Sequence, residues 1–409
     1  MSVTSWRTVT KRLMHLALAL ISTVSHATQD AGADACIAPQ TYLPLDATEV
    51  GANAQGVAAL GTYERISPDG RFILRSYSGA QLGKVSLMEL PPGPSGHIKA
   101  YRTPFSNEAF PVQGSWRYLV DVTGEHYRFA DVLRLQTEAR PLFRGGMTGF
   151  YAAASELAAG PTESTGTLIH IRSLSWPQNA DADADADSQG VGPLQITTIG
   201  VQDDGRSAKV VSNTGPRFIC GGRSATDGNV YALPMLSVDG SEFSAIPQAP
   251  RQGQPSMRVY GLATPADATA HPCDPRADLG ESPGKAVFGF PRERGAAWLT
   301  YSDLGHVFIH DPELRRSARL LHTKHRVLVT AFPGLTRDGR VIYGATWHDC
   351  ADTTGCPMQA GYVVADPYQS DSYRQLWIDA GRAPPQRCIT EQAVRAERER
   401  FARLHGLSP

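Results

Sequence analysis

An all-β fold, a single β-propeller of about six four-stranded blades with a short C-terminal helix, follows from three features of this sequence. Short β-type runs alternate with turn residues, and Asp69-Gly70 and Asp338-Gly339 each sit between two such runs. Glycine there supplies the positive φ of a tight hairpin. The pattern also recurs at a fixed spacing: Gly70 and Gly114 are 44 residues apart, as are Gly295 and Gly339. Four strands within about 40 to 50 residues is the spacing of propeller blades. Finally, 39 glycines and 29 prolines among 409 residues favour many turns over long helices. One blade cannot bury both faces of its sheet, so blades must stack around a ring. Seven blades is the alternative count.

The chain opens on what reads as an address. Arg7, Lys11 and Arg12 precede an apolar run from Leu13 to Val24, and Ser25-His26-Ala27 offers small residues for cleavage. This is the pattern of a secretory signal peptide over 1–27; the run is short for a membrane anchor. No other stretch approaches the ~18 apolar residues of a spanning helix, so no membrane span is expected in the mature chain. A periplasmic or secreted location follows. The whole chain carries 39 basic against 40 acidic side chains. Without the three positive leader residues, 36 basic remain against 40 acidic. A mildly acidic chain argues against nucleic acid, whose phosphates call for a basic excess.

All six cysteines lie beyond the leader. An even number in an exported chain reads as disulfides. The pairing expected is Cys350–Cys356, Cys36–Cys388 and Cys220–Cys273. The first is local and the second ties the chain ends. A metal site using His348, Cys350 and Cys356, or His271 and Cys273, is the rival. Zinc sites usually show two close cysteine pairs, and here five residues separate Cys350 from Cys356 with no matching partner pair. No metal and no cofactor are therefore expected.

Residues 28–61 read as an N-terminal extension, 62–380 as the propeller and 381–409 as a tail with a helix. The first blade runs through Tyr63 to Ser67, Arg71 to Tyr77, Lys84 to Leu90 and His97 to Arg102. The last runs through Val329 to Thr336, Arg340 to Gly344, Gly361 to Asp366 and Tyr373 to Trp377. Weaker copies use Trp116 to Val122 with Phe129 to Leu135; Asn229 to Leu236 with Phe243 to Ile246; and Ala296 to Tyr301 with His306 to His310. The stretches Ser67-Pro68-Asp69-Gly70-Arg71-Phe72 and Thr336-Arg337-Asp338-Gly339-Arg340 resemble the blade motif of TolB-type (WD-like) β-propellers. In that family the Asp-Gly turn joins the first two strands of a blade. The resemblance covers Thr62 to Ile378 and speaks for fold, since this fold carries unrelated functions.

Four segments depart from the repeat. Phe150 to Leu174 holds two strand-like runs without a leading Asp-Gly unit. Arg251 to Gly284 is a Pro-rich loop or a degenerate extra blade. Asp181, Asp183, Asp185 and Asp187 alternate with alanine as a solvated insertion, lacking the glycine and glutamate of an EF-hand loop. Thr390 opens a helical run to Leu404, closed by Gly406, with Val394, Phe401 and Leu404 as its apolar stripe.

The loops between second and third strands share a face with the inter-blade loops. That face collects Glu125, His126, His348 and Asp349, with Tyr127, Thr226 and Asp227; the inter-blade segment adds His271 and Asp274. A disulfide-pinned loop lowers the ordering cost of binding. No Gly-x-Ser-x-Gly elbow, His-Glu-x-x-His or P-loop occurs, so no catalytic residue is assigned. The leading expectation is an exported binding or scaffold module for a protein or small-ligand partner, without chemistry of its own. The alternative is a propeller hydrolase or lyase acting on sugars, peptides or phosphate esters.

Overall fold

A computed structural model of the chain describes residues 35–45, 63–76, 85–91 and 96–105, the strands and a few turn residues between 109 and 301, and most of 306–408. Residues 1–27, expected to be a leader, and the aspartate run 181–187 lie outside the described residues. Among the described residues the protein is mostly β with few helices, and its strands form six antiparallel sheets of four or five strands.

The chain enters with β1 (Gln40–Pro44). The first sheet is β2 (Tyr63–Ile66), β3 (Phe72–Ser76), β4 (Val85–Glu89) and β5 (Lys99–Arg102), paired in chain order. The second repeats this plan with β6 (Ala109–Pro111), β7 (Tyr118–Thr123), β8 (His126–Asp131) and β9 (Arg140–Arg144). Next come β10 (Glu156–Ala159), β11 (Leu168–Ser175), β12 (Val191–Gly192), β13 (Gln195–Asp203), β14 (Ala208–Asn213) and β15 (Arg217–Phe218). All but β12 form the third sheet. β12 instead leads the fourth, with β16 (Val230–Leu236), β17 (Glu242–Gln248), β18 (Arg258–Gly261) and β19 (Pro275–Asp278). Within the Pro-rich segment 251–284, the described strands β18 and β19 belong to the fourth sheet. The fifth sheet is β20 (Ala286–Val287), β21 (Trp298–Tyr301), β22 (Val307–Asp311) and β23 (Arg316–Arg319).

The last sheet differs from its sequence reading. It holds β24 (His325–Val329), β25 (Gly334–Leu335), β26 (Val341–His348) and β27 (Met358–Ala365), and its outer strand is β1 from the chain start. Tyr42 lies opposite Val363 and Pro44 opposite Gly361. Tyr373 to Trp377, expected as the fourth strand, belong to helix α1 (Asp371–Asp379). Tyr373 and Trp377 lie four apart, on one helical face, and both are buried against the last two sheets. Gly361 is where β1 approaches closest: a methyl placed there would overlap the carbonyl oxygen of Leu43. Gly361→Ala is expected to lower stability by about 1–3 kcal/mol, the usual penalty of overpacking. Its urea midpoint should fall, and limited proteolysis should cut the segment before Pro44 faster.

Alternate side chains of one strand face different neighbours. On β3, Phe72 and Leu74 pack toward Ala130 and Val132 of the second sheet, while Ile73 packs with Ile342 and Tyr362 of the last. On β26, Val341 and Tyr343 face Val307 and Ile309 of the fifth sheet, and Ile342 faces the first. Fifth, last, first and second sheets therefore pack face to face in that order, which joins the two ends of the chain.

Both Asp-Gly turns have one geometry. Ser67 Oγ donates to Asp69 Oδ1 at 2.6 Å, and the amide of Arg71 donates to the same oxygen at 3.1 Å. Thr336 Oγ1 and the amide of Arg340 repeat this on Asp338 Oδ1 at 2.6 and 3.1 Å. Gly70 and Gly339 take φ of 69° and 99°. The turns also touch: Arg337 N donates to Pro68 O at 2.7 Å, and Arg340 Nη2 to Asp69 O at 2.6 Å. Helix α2 (Glu391–His405) lies over them, capped by Thr390 and ended by Gly406 in the left-handed conformation. Phe401 packs into the first-sheet core, but Leu404 is exposed and takes no part in the expected stripe. Among the described residues, no helix is long and apolar enough to cross a membrane.

Candidate functional site

Of the sequence-predicted ligand-binding residues, His348 at the end of β26 and Asp349 at the start of the loop to β27 are the two whose side chains are described. Cys350 and Cys356 are disulfide-bonded across that loop, with Cα atoms 6.1 Å apart. The rival metal reading at His348 calls for two thiolate donors, and here these sulfurs are bonded to each other. Cys36 and Cys388 are likewise bonded, whereas Cys220 and Cys273 lie outside the described residues.

His348 ends β26, and its Nδ1 stands 3.0 Å from the carbonyl oxygen of Cys356. A carbonyl only accepts, so Nδ1 is the donor in this bond. His325 on β24 lies directly opposite His348 in the ladder. Opposed residues share a sheet face with Cβ atoms about 4.5–5.5 Å apart. The two histidine positions are thus register partners at one end of the last sheet, beside an irregularity in the ladder after His325. The partnership spans a loop in sequence, and no motif signals it.

Asp349 is held elsewhere. Lys324 Nζ and Gln359 Nε2 donate to its two oxygens, each at 2.7 Å. Lys324 also stands over the ring of Tyr42, 5.8 Å from its centroid, and Tyr42 meets Trp347 edge-on. Lys324 and Gln359 draw Asp349 away, so adjacent His348 and Asp349 form no dyad. The Lys324–Asp349 pair is too exposed to add much stability.

The remaining predicted residues are not drawn into this group. Glu125, His271, Asp274, Thr226 and Asp227 lie outside the described residues. His126 opens β8 in register with Thr123 and Arg144, in the second sheet. His310 is buried, with Nδ1 3.1 Å from Ser317 Oγ. His322 is bound by the Tyr343 hydroxyl at 3.1 Å. Burial first, then the charges of Arg319 and His306, lower its pKa to about 4. Its neutral ring therefore serves the core.

No protein-family model matches the chain, and no curated protein matches it. Solved structures with a similar course include an oligogalacturonate lyase from Vibrio parahaemolyticus, at TM-score 0.40 and 10% identity, covering 75% of this chain and 90% of that one. Another is an oligogalacturonate lyase in complex with manganese, at TM-score 0.41 and 11% identity, covering 82% and 98%. Both of these neighbours are named as lyases. The expectation of a binding or scaffold module without chemistry of its own is corrected to this extent: both neighbours named are lyases, and the alternative of a hydrolase or lyase is taken up below.

Proposed function

We propose that the chain is an exported propeller-type hydrolase or lyase in which His348 and His325 form the proton-transfer pair. One observation carries this reading. Nδ1 of His348 is engaged by the Cys356 carbonyl, which leaves Nε2 as its other ring nitrogen, and His325 is the register partner of His348 across the ladder. Proton transfer by a positioned histidine typically contributes about 10²–10⁴-fold to rate. The loop that aims His348 is closed by a disulfide, so little order remains to be imposed when substrate arrives. In this reading the six sheets are blades of one closed TolB-like ring. The two disulfides support a site outside the cytoplasm.

The test is turnover by the mature protein across acidic and neutral oligosaccharides, peptides and phosphate esters. His348→Gln and His325→Gln are each expected to lose about a hundredfold or more in kcat, with the pH-rate profile flattened. Asp349→Asn should stay within a few-fold. Absence of turnover on every class, or unchanged rates in both histidine variants, would overturn the reading.

A further inference from the structure

The strongest unassigned feature is a cavity of about 480 Å³ between α2, β1 and the first sheet. That size falls within the range of small-molecule sites. Ile37, Leu43, Leu90, Val364 and Val394 give it an apolar body. Arg340, Arg395 and Arg398 reach its wall, with Glu391 as the acidic member. The Cys36–Cys388 disulfide ties the two chain segments that form the wall. So do hydrogen bonds from Ile37 N to Ile389 O and from Glu391 N to Ala35 O, both 2.9 Å. The cavity is therefore built into the junction of the chain ends.

The arginines are not equivalent. Arg340 is committed to Asp338 and to the Asp69 carbonyl. Arg395 is exposed. Arg398 is largely withdrawn from water, yet its buried Nε has no hydrogen-bond partner among the described residues. Burial, followed by the charge of Arg340, pulls its pKa below the ordinary arginine value. Asp69 lies near enough to act on it electrostatically but does not bond it: Asp69 Oδ1 takes Ser67 and Arg71, and Oδ2 has no partner. A half-buried guanidinium on a cavity wall is a planar fork matched to a carboxylate.

We propose that this cavity binds a small apolar monocarboxylate, its carboxylate on Arg398 and its apolar body against Leu43, Leu90 and Val394. Glu391, the acidic member of the lining, restricts the ligand to a single negative charge, since a dianion would bring a second charge against it. This assignment is independent of the proton-transfer pair at His348.

The test is calorimetric titration of the mature, disulfide-bonded protein with 4-phenylbutyrate and with its primary amide. The two probes share a shape and differ in charge. The acid should bind at least tenfold more tightly. Arg398→Gln should weaken the acid tenfold or more and leave the amide unchanged. Arg395→Gln, at an exposed position, should weaken the acid about threefold. Val394→Phe fills the cavity and should abolish both, which separates loss of the site from misfolding of the Arg398 variant. No binding of the acid, equal affinity of acid and amide, or acid binding that survives Val394→Phe would overturn the assignment.

Discussion

Arg340→Met is expected to destabilise the protein by about 3–5 kcal/mol, the range for breaking one partner out of a buried ion pair. Arg340 and Asp338 have side chains only 5% and 2% exposed. The guanidinium bonds both oxygens of Asp338, Nε at 2.9 Å and Nη2 at 2.7 Å, and also reaches the Asp69 carbonyl at 2.6 Å. A methionine of similar length fills the space and leaves the Asp338 carboxylate and a buried carbonyl without those donors. The bond to Asp69 crosses from the last sheet to the first, so the loss falls on the contact that joins the chain ends. Arg71→Met is the internal control. Arg71 pairs with Glu89 at 2.7 Å, but with side chains 25% and 16% exposed, and about 1 kcal/mol is expected there. Urea midpoints of both variants decide the matter: a loss from Arg340→Met no larger than from Arg71→Met would sink the argument.

The same pair makes the loss depend on pH. Burial alone would push the Asp338 carboxyl up, but the charge of Arg340 and the bonds from Arg340 and Thr336 outweigh it and hold the pKa below the ordinary value. A carboxylate with a lowered folded pKa contributes stability that is complete above its unfolded pKa, about 4, and is lost as pH falls through the folded pKa. The gap between wild type and Arg340→Met should therefore be widest near neutrality and narrow below about pH 4. Asp69 runs the other way. Its burial outweighs the bonds from Ser67 and Arg71 and raises its pKa, so its contribution is complete at low pH and declines as pH rises.

The parts legible in the sequence are those whose cause is local. Asp69-Gly70 and Asp338-Gly339 announce hairpins because aspartate ties the turn and glycine takes positive φ, and both turns form with matching bonds. The strands of the first sheet follow from alternation around such a turn. What was not legible depends on distant parts of the chain. Gln40–Pro44 is a short run like many others, and only the free edge of β27 makes it a strand. With that edge taken, Tyr373 to Trp377 have no sheet to join, and their helical spacing decides instead. The spacing of Tyr373, Leu376 and Trp377 was the available signal. The site divides the same way. The Cys350–Cys356 loop is local and could be read. The pairing of His348 with His325 is set by ladder register, and Asp349 is drawn away from His348 by Lys324 and Gln359, neither of which a motif encodes.

Removing the Cys36–Cys388 disulfide by double alanine substitution is expected to cost about 4–5 kcal/mol, near the top of the disulfide range. The bridge spans a sequence separation of 352 residues, against six for Cys350–Cys356. In the chain-entropy account, restricting the unfolded chain matters more for the longer loop, and the short bridge should be worth only about 2 kcal/mol. The native state around Cys36 is also held by hydrogen bonds that do not need the bridge. Ile37 N still bonds Ile389 O, and Asp366 still accepts the amides of Tyr368 and Ile389 at 3.0 and 2.8 Å. The loss should therefore appear chiefly in the unfolded state. The expanded unfolded chain should raise the urea m-value as well as lower the midpoint. Comparing the two double-alanine variants isolates the loop-length effect within one fold. Equal losses, or a larger loss from the short bridge, would show that local strain or packing outweighs chain closure.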